Sequence, residues 1–389
     1  MEYRLADRMN NISGSVIREI FKMLADPAII SFAGGAPASE ALPRDLIARH
    51  TAQLLADDGP KMLQYGITEG YMPLRESVSG WVSHLGIRAA ADNTLIVTGG
   101  QQGVDLVLKV LLNPGDKVLV EAPTFLATLN AIRIYQGVPV GIPMDDEGVE
   151  LEALETAMQV EEPKLLYLIP TFQNPTGRTM SLARRKAVLA LAAKYNVLIL
   201  EDDPYRDLRF AGKHLPTIKS MDDQGVVAYL GSFSKLVSPG LRVGYLIPPK
   251  TLQQPIVVAK QVEDVHTPTL IQAVVDKMLR NNELMPHVES VKPLYIRKLD
   301  AMAQALAALP VAFTKPEGGL FIWLKLRQPN AQAVFQQALQ RKVACIPGAP
   351  FFAQEADGAY YLRCNFTAST IEQITEGAQR LGEALEAAI

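Results

Sequence analysis

Short apolar runs alternate with longer stretches of helical periodicity through the first 250 residues or so, and that alternation leaves few folds open. Leu95-Ile96-Val97-Thr98 is strand-length and is stopped by Gly99-Gly100. Val104, Leu106, Val107, Leu108, Val110 and Leu111 then recur at helical spacing until Asn113-Pro114-Gly115 ends the run. The same reading predicts strands over 117–120, 138–142, 165–169, 197–200, 226–231 and 243–247, with helices over about 124–136 and 181–195. Strands separated by helices need crossover connections, which means an α/β fold with a mostly parallel sheet covered on both faces.

The C-terminal third changes character. A long helical stretch over about 253–305 leads into Phe321-Ile322-Trp323-Leu324, a helix at 330–341, strands near 343–346 and 359–363, and a closing helix from about 369. This pattern predicts a second, smaller α+β domain. Near the start, Ile12, Val16, Ile17, Ile20, Phe21 and Leu24 keep helical spacing, and that segment is expected to pack across the domains. The expected division is an arm and helix at 1–45 contributing to the small domain and the pocket, a large domain at 46–285 and a small domain at 286–389. A chain of 389 residues is long enough for two cores.

Composition narrows the class. Hydrophobic residues make up 48% and charged residues 20%, with a net charge of −3, so there is no basic footprint for nucleic acid or an anionic membrane. The apolar runs are too short to span a bilayer, and Glu2, Arg4, Asp7 and Arg8 break any signal-peptide core, which points to a cytoplasmic protein. The two cysteines, Cys345 and Cys364, read as buried reduced thiols, and the five histidines lack metal-ligand spacing.

Four segments carry the chemistry. The densest is Gly231-Ser232-Phe233-Ser234-Lys235, followed by Arg242, between two predicted strands. Both hydroxyls and the Arg242 fork suit a phosphate, and Lys235 is the amine beside them, which fits a cofactor carrying both an aldehyde and a phosphate. Ser232-x-x-Lys235 also matches the nucleophile motif of penicillin-recognising hydrolases, but the companion Ser-Asp-Asn and Lys-Thr-Gly motifs are absent. The second segment places Asp202 and Tyr205 just after the apolar run 197–200, at the carboxyl edge where open α/β sheets bind ligands. There Asp202 suits a ring nitrogen and Tyr205 a ring hydroxyl, although acids at strand ends also serve as plain turn-formers. The third, Gln173-Asn174-Pro175-Thr176-Gly177, is a turn at the same edge with the Asn174 amide available. The fourth, Thr98-Gly99-Gly100-Gln101, opens a helix whose free N–H groups attract anions, without the glycine spacing of a dinucleotide site.

In order and chemistry these segments resemble the aspartate-aminotransferase superfamily, the fold-type I pyridoxal-phosphate enzymes. The likeness is strongest to the 2-aminoadipate and kynurenine/aminoadipate aminotransferases. It extends from Ser15-Val16-Ile17-Arg18-Glu19 through Ser31–Pro37 to Leu362-Arg363-Cys364. The resemblance implies a seven-stranded, mostly parallel sheet and a homodimer using pyridoxal 5'-phosphate. It implies that Lys235 holds the cofactor as a Schiff base and shuttles the proton, and that Asp202 holds the ring nitrogen. Tyr205 and Asn174 would bond the ring hydroxyl, and Phe125 would stack on the ring. Gly100, Gln101, Ser232, Ser234 and Arg242 would hold the phosphate. Many relatives have serine at position 100, so here only backbone is left to contribute. Arg363 would bind the substrate α-carboxylate with help from Asn174, and Gly35 would lie close to the substrate. Tyr65 would reach the phosphate of the neighbouring subunit. Arg18 would meet the distal carboxylate of an acidic substrate. The implied activity is amino transfer from 2-aminoadipate, an aromatic or a branched-chain amino acid to 2-oxoglutarate. β-Elimination or decarboxylation on the same cofactor is the alternative. An effector-sensing role would need a DNA-binding part that residues 1–30 are too few to provide.

Overall fold

The computed structural model describes residues 3–9 and 26–388. Among them the strands are, in chain order, β1 (Ile30–Ser31), β2 (Leu95–Val97), β3 (Lys117–Ala122), β4 (Val138–Asp145), β5 (Gly148–Val149), β6 (Leu165–Leu168) and β7 (Leu198–Asp202). They continue as β8 (Val227–Ser232), β9 (Gly244–Ile247), β10 (Val311–Ala312), β11 (Phe321–Leu326), β12 (Val343–Ala344), β13 (Ile346–Pro347) and β14 (Tyr361–Asn365). The large sheet has the order β2-β9-β8-β7-β6-β3-β4-β5. Its centre is parallel, and β9 runs against both neighbours. Seven of these strands form the expected sheet, and β5 adds a two-residue hairpin at one edge.

Strand alternation decides what the sheet buries on each face. Leu119, Leu166, Leu168, Ile199 and Val227 pack with Leu154, Met158 and Val188 from helices Leu151–Glu161 and Leu182–Tyr195. Their neighbours Val118, Val120, Leu165, Tyr167, Leu200, Ala228 and Leu230 belong to the other core, with Val104, Leu108, Leu129 and Ile132 from helices Gly100–Leu111 and Leu126–Ile134. Because strands buried on both faces need apolar residues at every position, the runs read as continuous rather than alternating.

The second domain is a four-stranded antiparallel sheet, β10-β11-β14-β13. β1 pairs in parallel with β12, tying the N-terminal segment to this domain. The helical stretch expected over 253–305 is three helices: Lys250–Glu263, Thr269–Arg280 and Leu284–Ala307. Val265 at φ +64° and Pro268 break it first, and Asn282 at φ +53° breaks it again. Helices Arg44–Met62 and Met72–Ser83 come without an earlier periodic signal; the first is interrupted at Asp58 and contains Pro60. The helix expected around Ile12–Leu24 lies outside the described residues. Cys345 and Cys364 are free and buried. Among the described residues no helix is long and apolar enough to cross a membrane, and no cluster of three or more His, Cys, Asp or Glu side chains could hold a metal ion.

Candidate active site

Strands β2, β3, β6, β7 and β8 all point the same way, so the loops after them meet at one edge of the sheet. A cavity of about 990 Å³ opens there. It is lined by Gly100 and Gln101 after β2, Phe125 after β3, Asn174 after β6, and Asp202 and Tyr205 at the end of β7. Ser232, Ser234, Lys235 and Arg242 come from the connection between β8 and β9, Gly35 from the N-terminal segment and Arg363 from β14. Residues spread over some 330 positions therefore share one site. Tyr65 is not among the lining residues and is 82% exposed. Arg18 lies outside the described residues.

Lys235 donates to the Gly35 carbonyl at 2.7 Å. Burial is the largest influence on its amine, and the Arg363 and Arg242 charges act in the same direction. Together they bring it down to about 8, against the pull of Asp202. Asp202 accepts from the Tyr167 hydroxyl at 2.7 Å. Burial pushes its carboxyl up to about 7; the Tyr167 bond opposes this, Asp203 adds to it, and Lys235 opposes it again. Asp203 faces elsewhere. It accepts from Tyr229 at 3.1 Å and Arg206 at 3.3 Å, in a buried cluster behind the cavity. Strand alternation makes the difference: Asp202 continues the face of Leu200, and its neighbour takes the opposite side.

Arg363 is held from several directions. It donates to Asn174 Oδ1 at 2.9 Å and to the Ala33 carbonyl at 2.7 Å. Its guanidinium carbon stands 4.2 Å from the Phe321 ring centroid and 4.9 Å from that of Phe351. Its Nε is buried without a partner among the described residues, and burial brings the group down to about 10. A guanidinium with donors to spare, placed against aromatic faces, has the chemistry to receive a carboxylate. Asn174 Nδ2 also reaches the Tyr205 hydroxyl at 3.5 Å, and burial pushes the Tyr205 phenol up.

Arg242 lies within 3.5 Å of Ser234 Oγ and donates to the Thr98 carbonyl at 3.4 Å, joining the turn after β2 to the segment after β8. Gly99 has φ +78°, and a Cβ there would stand 2.2 Å from Arg242 Nη2, so only glycine fits this turn. Gly100 differs, because a Cβ on it would meet nothing nearer than Ser232 Cβ at 3.8 Å. Nothing among the described residues forbids a serine at position 100.

The sequence reading passed over Tyr167, Phe321 and Phe351. Tyr167 sits in the apolar run of β6, where its one signal was a hydroxyl in an otherwise hydrocarbon strand. The two phenylalanines read as ordinary core until Arg363 is placed against them.

Residues 28–381 match the family described as aminotransferase class I and II. The chain is 41% identical to the 2-aminoadipate transaminase of Thermus thermophilus over 96% of this chain and 94% of that protein. It is 38% identical to aromatic-amino-acid aminotransferase 1 of Thermococcus litoralis, over 99% and 94%. In structure it is similar to the Pyrococcus horikoshii kynurenine aminotransferase solved in complex with PMP, with KYN as substrates and KYA as products. That TM-score is 0.94 at 37% identity, covering 98% of this chain and 97% of the other. With its aspartate-aminotransferase-like fold and these relatives, the chain belongs to the class I and II aminotransferases and is a pyridoxal-phosphate-dependent transaminase.

Proposed function

We propose that this protein transfers the amino group of 2-aminoadipate, an aromatic or a branched-chain L-amino acid to 2-oxoglutarate. The observation carrying the site assignment is that one cavity holds a half-buried amine, a buried carboxylate and a buried guanidinium, each with a distinct task. The donor set fits the cofactor. Ser232, Ser234, Arg242 and the N–H groups of Gly100 and Gln101 suit its phosphate, and Asp202 its ring nitrogen. Asn174 and Tyr205 suit its ring hydroxyl, Phe125 its face, and Lys235 its aldehyde. Bound pyridoxal phosphate supplies an aldehyde for the amino group and a protonated ring that withdraws electrons from the substrate Cα.

The chain's own residues do the rest. Tyr167 holds Asp202 by one oxygen, and a cationic ring nitrogen beside it would draw its carboxyl back to the anion. Lys235, lowered to about 8, is an amine that can take a proton from the substrate Cα and return it nearby at mildly alkaline pH. Arg363, oriented by Asn174 and Ala33, grips the α-carboxylate common to donor and acceptor and so fixes which Cα bond faces the ring. Gly35 lets backbone approach the substrate, and its carbonyl receives Lys235.

Ala33, Ala36, Leu126, Ala131 and Ile134 give the remaining space a hydrocarbon side, beside the polar Asp105, Asn130, Glu263 and Asp264, and that side supports aromatic and branched donors. Arg18 is proposed to meet the distal carboxylate of 2-aminoadipate and 2-oxoglutarate. Exposed Tyr65, with Leu63, Ile67, Val262 and Val265 also exposed, supports a homodimer in which Tyr65 reaches the neighbouring site. The pairing of β1 with β12 supports assigning residues 1–45 to the small domain, with the large domain at 46–285 and the small one at 286–389. A screen of amino donors with 2-oxoglutarate, following glutamate, tests the reading. Glutamate should form with 2-aminoadipate, phenylalanine and leucine; no glutamate with any of them would contradict it.

A further inference from the structure

Beneath the turn that opens helix Gly100–Leu111 lies a polar cluster that none of the roles above uses. Lys260, on helix Lys250–Glu263, has a side chain 1% exposed. Its ammonium donates to Gln102 Oε1 at 2.8 Å, to the two oxygens of Asp264 at 2.8 and 3.0 Å, and to Thr267 Oγ1 at 3.2 Å. An ammonium has three protons, and here each has a polar acceptor, as burial demands.

The same acceptors grip the turn. Gln102 Oε1 also accepts from the Thr98 N–H at 2.7 Å. Asp264 Oδ2 accepts from Thr98 Oγ1 at 2.8 Å and Gln102 Nε2 at 2.7 Å, and the Thr98 and Thr267 hydroxyls are 2.9 Å apart. The Thr98 carbonyl in turn receives Arg242. One buried ammonium thus sets the side chains that hold both ends of Thr98–Gln102, the stretch carrying the Gly100 and Gln101 N–H groups. Holding a buried ammonium against a partly exposed carboxylate costs desolvation that the ion pair offsets only in part, and hydrocarbon of the same volume is often as stable, so the network is better placed to order the turn than to add stability.

We propose that Lys260, acting through Gln102, Asp264 and Thr98, is a positioning residue for the phosphate of the cofactor. The inference rests on the reading that Gly100, Gln101 and Arg242 hold that phosphate. The network orders the turn and the Arg242 fork when the chain folds, so less order has to be gained when the anion arrives.

The test compares two ligands on the cofactor-free, full-length protein: pyridoxal 5'-phosphate and pyridoxal, which lacks the phosphate. Lys260→Met should weaken pyridoxal 5'-phosphate roughly 10-fold, about the worth of one hydrogen bond, while pyridoxal changes less than about twofold. A merely structural role would weaken both ligands alike or neither, and either result overturns the inference. Arg242→Met is the control. If it lowers the ratio of the two affinities while Lys260→Met does not, Lys260 is no positioning residue and the phosphate cradle stands. If Arg242→Met leaves the ratio unchanged, the cradle reading itself fails. Thr267→Val nearly keeps the volume and removes a hydroxyl shared by Lys260 and Thr98. It should lower the ratio roughly two- to fivefold, and an unchanged ratio there contradicts the proposal even if Lys260→Met does not fold.

Discussion

The two walls of the cavity are built in different ways. One stands on strand ends of a single sheet, with Gly100 and Gln101 after β2, Asn174 after β6, Asp202 and Tyr205 at β7, and Ser232 to Lys235 after β8. The other is assembled from distant parts: Arg363 on β14 is fixed by Asn174, 189 positions away, by Ala33, 330 positions away, and by the faces of Phe321 and Phe351. The first wall needs only the sheet. The second needs the small sheet, the N-terminal segment and the large sheet to meet. The groups proposed for the cofactor lie mostly on the first, and the proposed grip on the substrate carboxylate lies on the second. Damage to each should therefore read out differently.

The largest effect belongs to the sheet wall. Lys235→Ala should abolish turnover, by roughly 10⁴-fold or more, with the fold intact and the phosphate contacts in place. Near-native turnover would remove Lys235 from its proposed role. Next comes Asp202→Asn, expected to lower kcat by roughly 10²–10³, about 3–4 kcal/mol, with a smaller loss of cofactor affinity. Asp203→Asn should be mild on kcat, because Asp203 faces Arg206 and Tyr229. If the two variants exchange these outcomes, the wrong carboxylate has been assigned to the cavity.

Arg363→Lys addresses the assembled wall. It removes the planar fork, and kcat/KM for every amino donor should fall by about 2–4 kcal/mol while cofactor affinity stays within about twofold. A parallel loss of cofactor affinity would mean that the walls are not independent. The comparison also extends to pH, with the smallest consequence for turnover. Burial pushes Glu121 up to about 8, and Glu201 and Asp202 up to about 7. In each case the folded chain keeps a proton that the unfolded chain has lost above about pH 4–5. Stability from these groups is thus full below about pH 4, is lost progressively from about pH 4–5 upward, and the loss is complete once pH has passed 7 to 8. The melting temperature of the cofactor-free protein should fall over that range, and Asp202→Asn should make the fall shallower. Arg363→Lys should leave the slope alone.

The same division governs what the sequence disclosed. Residues of the sheet wall follow apolar runs directly, so glycines, Asn174-Pro175 and Asp202 announce themselves as sheet-edge groups from local order alone. Tyr167 did not, because a tyrosine in Leu165–Leu168 is indistinguishable from core until Asp202 is set beside it. Arg363 came only with the family resemblance, since nothing within ten residues of it in the sequence supplies its partners. Lys260 gave no local signal, because a lysine four positions before an acid is indistinguishable from a solvated pair; its burial comes with Gln102 and Thr267. The split of 253–305 into three helices was missed for a similar reason. Val265 adopts a left-handed conformation that its side chain disfavours, and only tertiary contacts can impose that.

Amino transfer requires that the amino group be lifted from a donor, held, and handed to an acceptor at this one site. The direct measurement is a half-reaction: cofactor-loaded protein mixed with L-2-aminoadipate or L-phenylalanine, without any oxo acid. One equivalent of 2-oxo acid per site should form, with conversion of the cofactor to its aminated form. Added 2-oxoglutarate should then reverse the conversion and yield an equal amount of glutamate. Continuous release of ammonia or carbon dioxide from the donor, with no aminated cofactor and no response to 2-oxoglutarate, would contradict it.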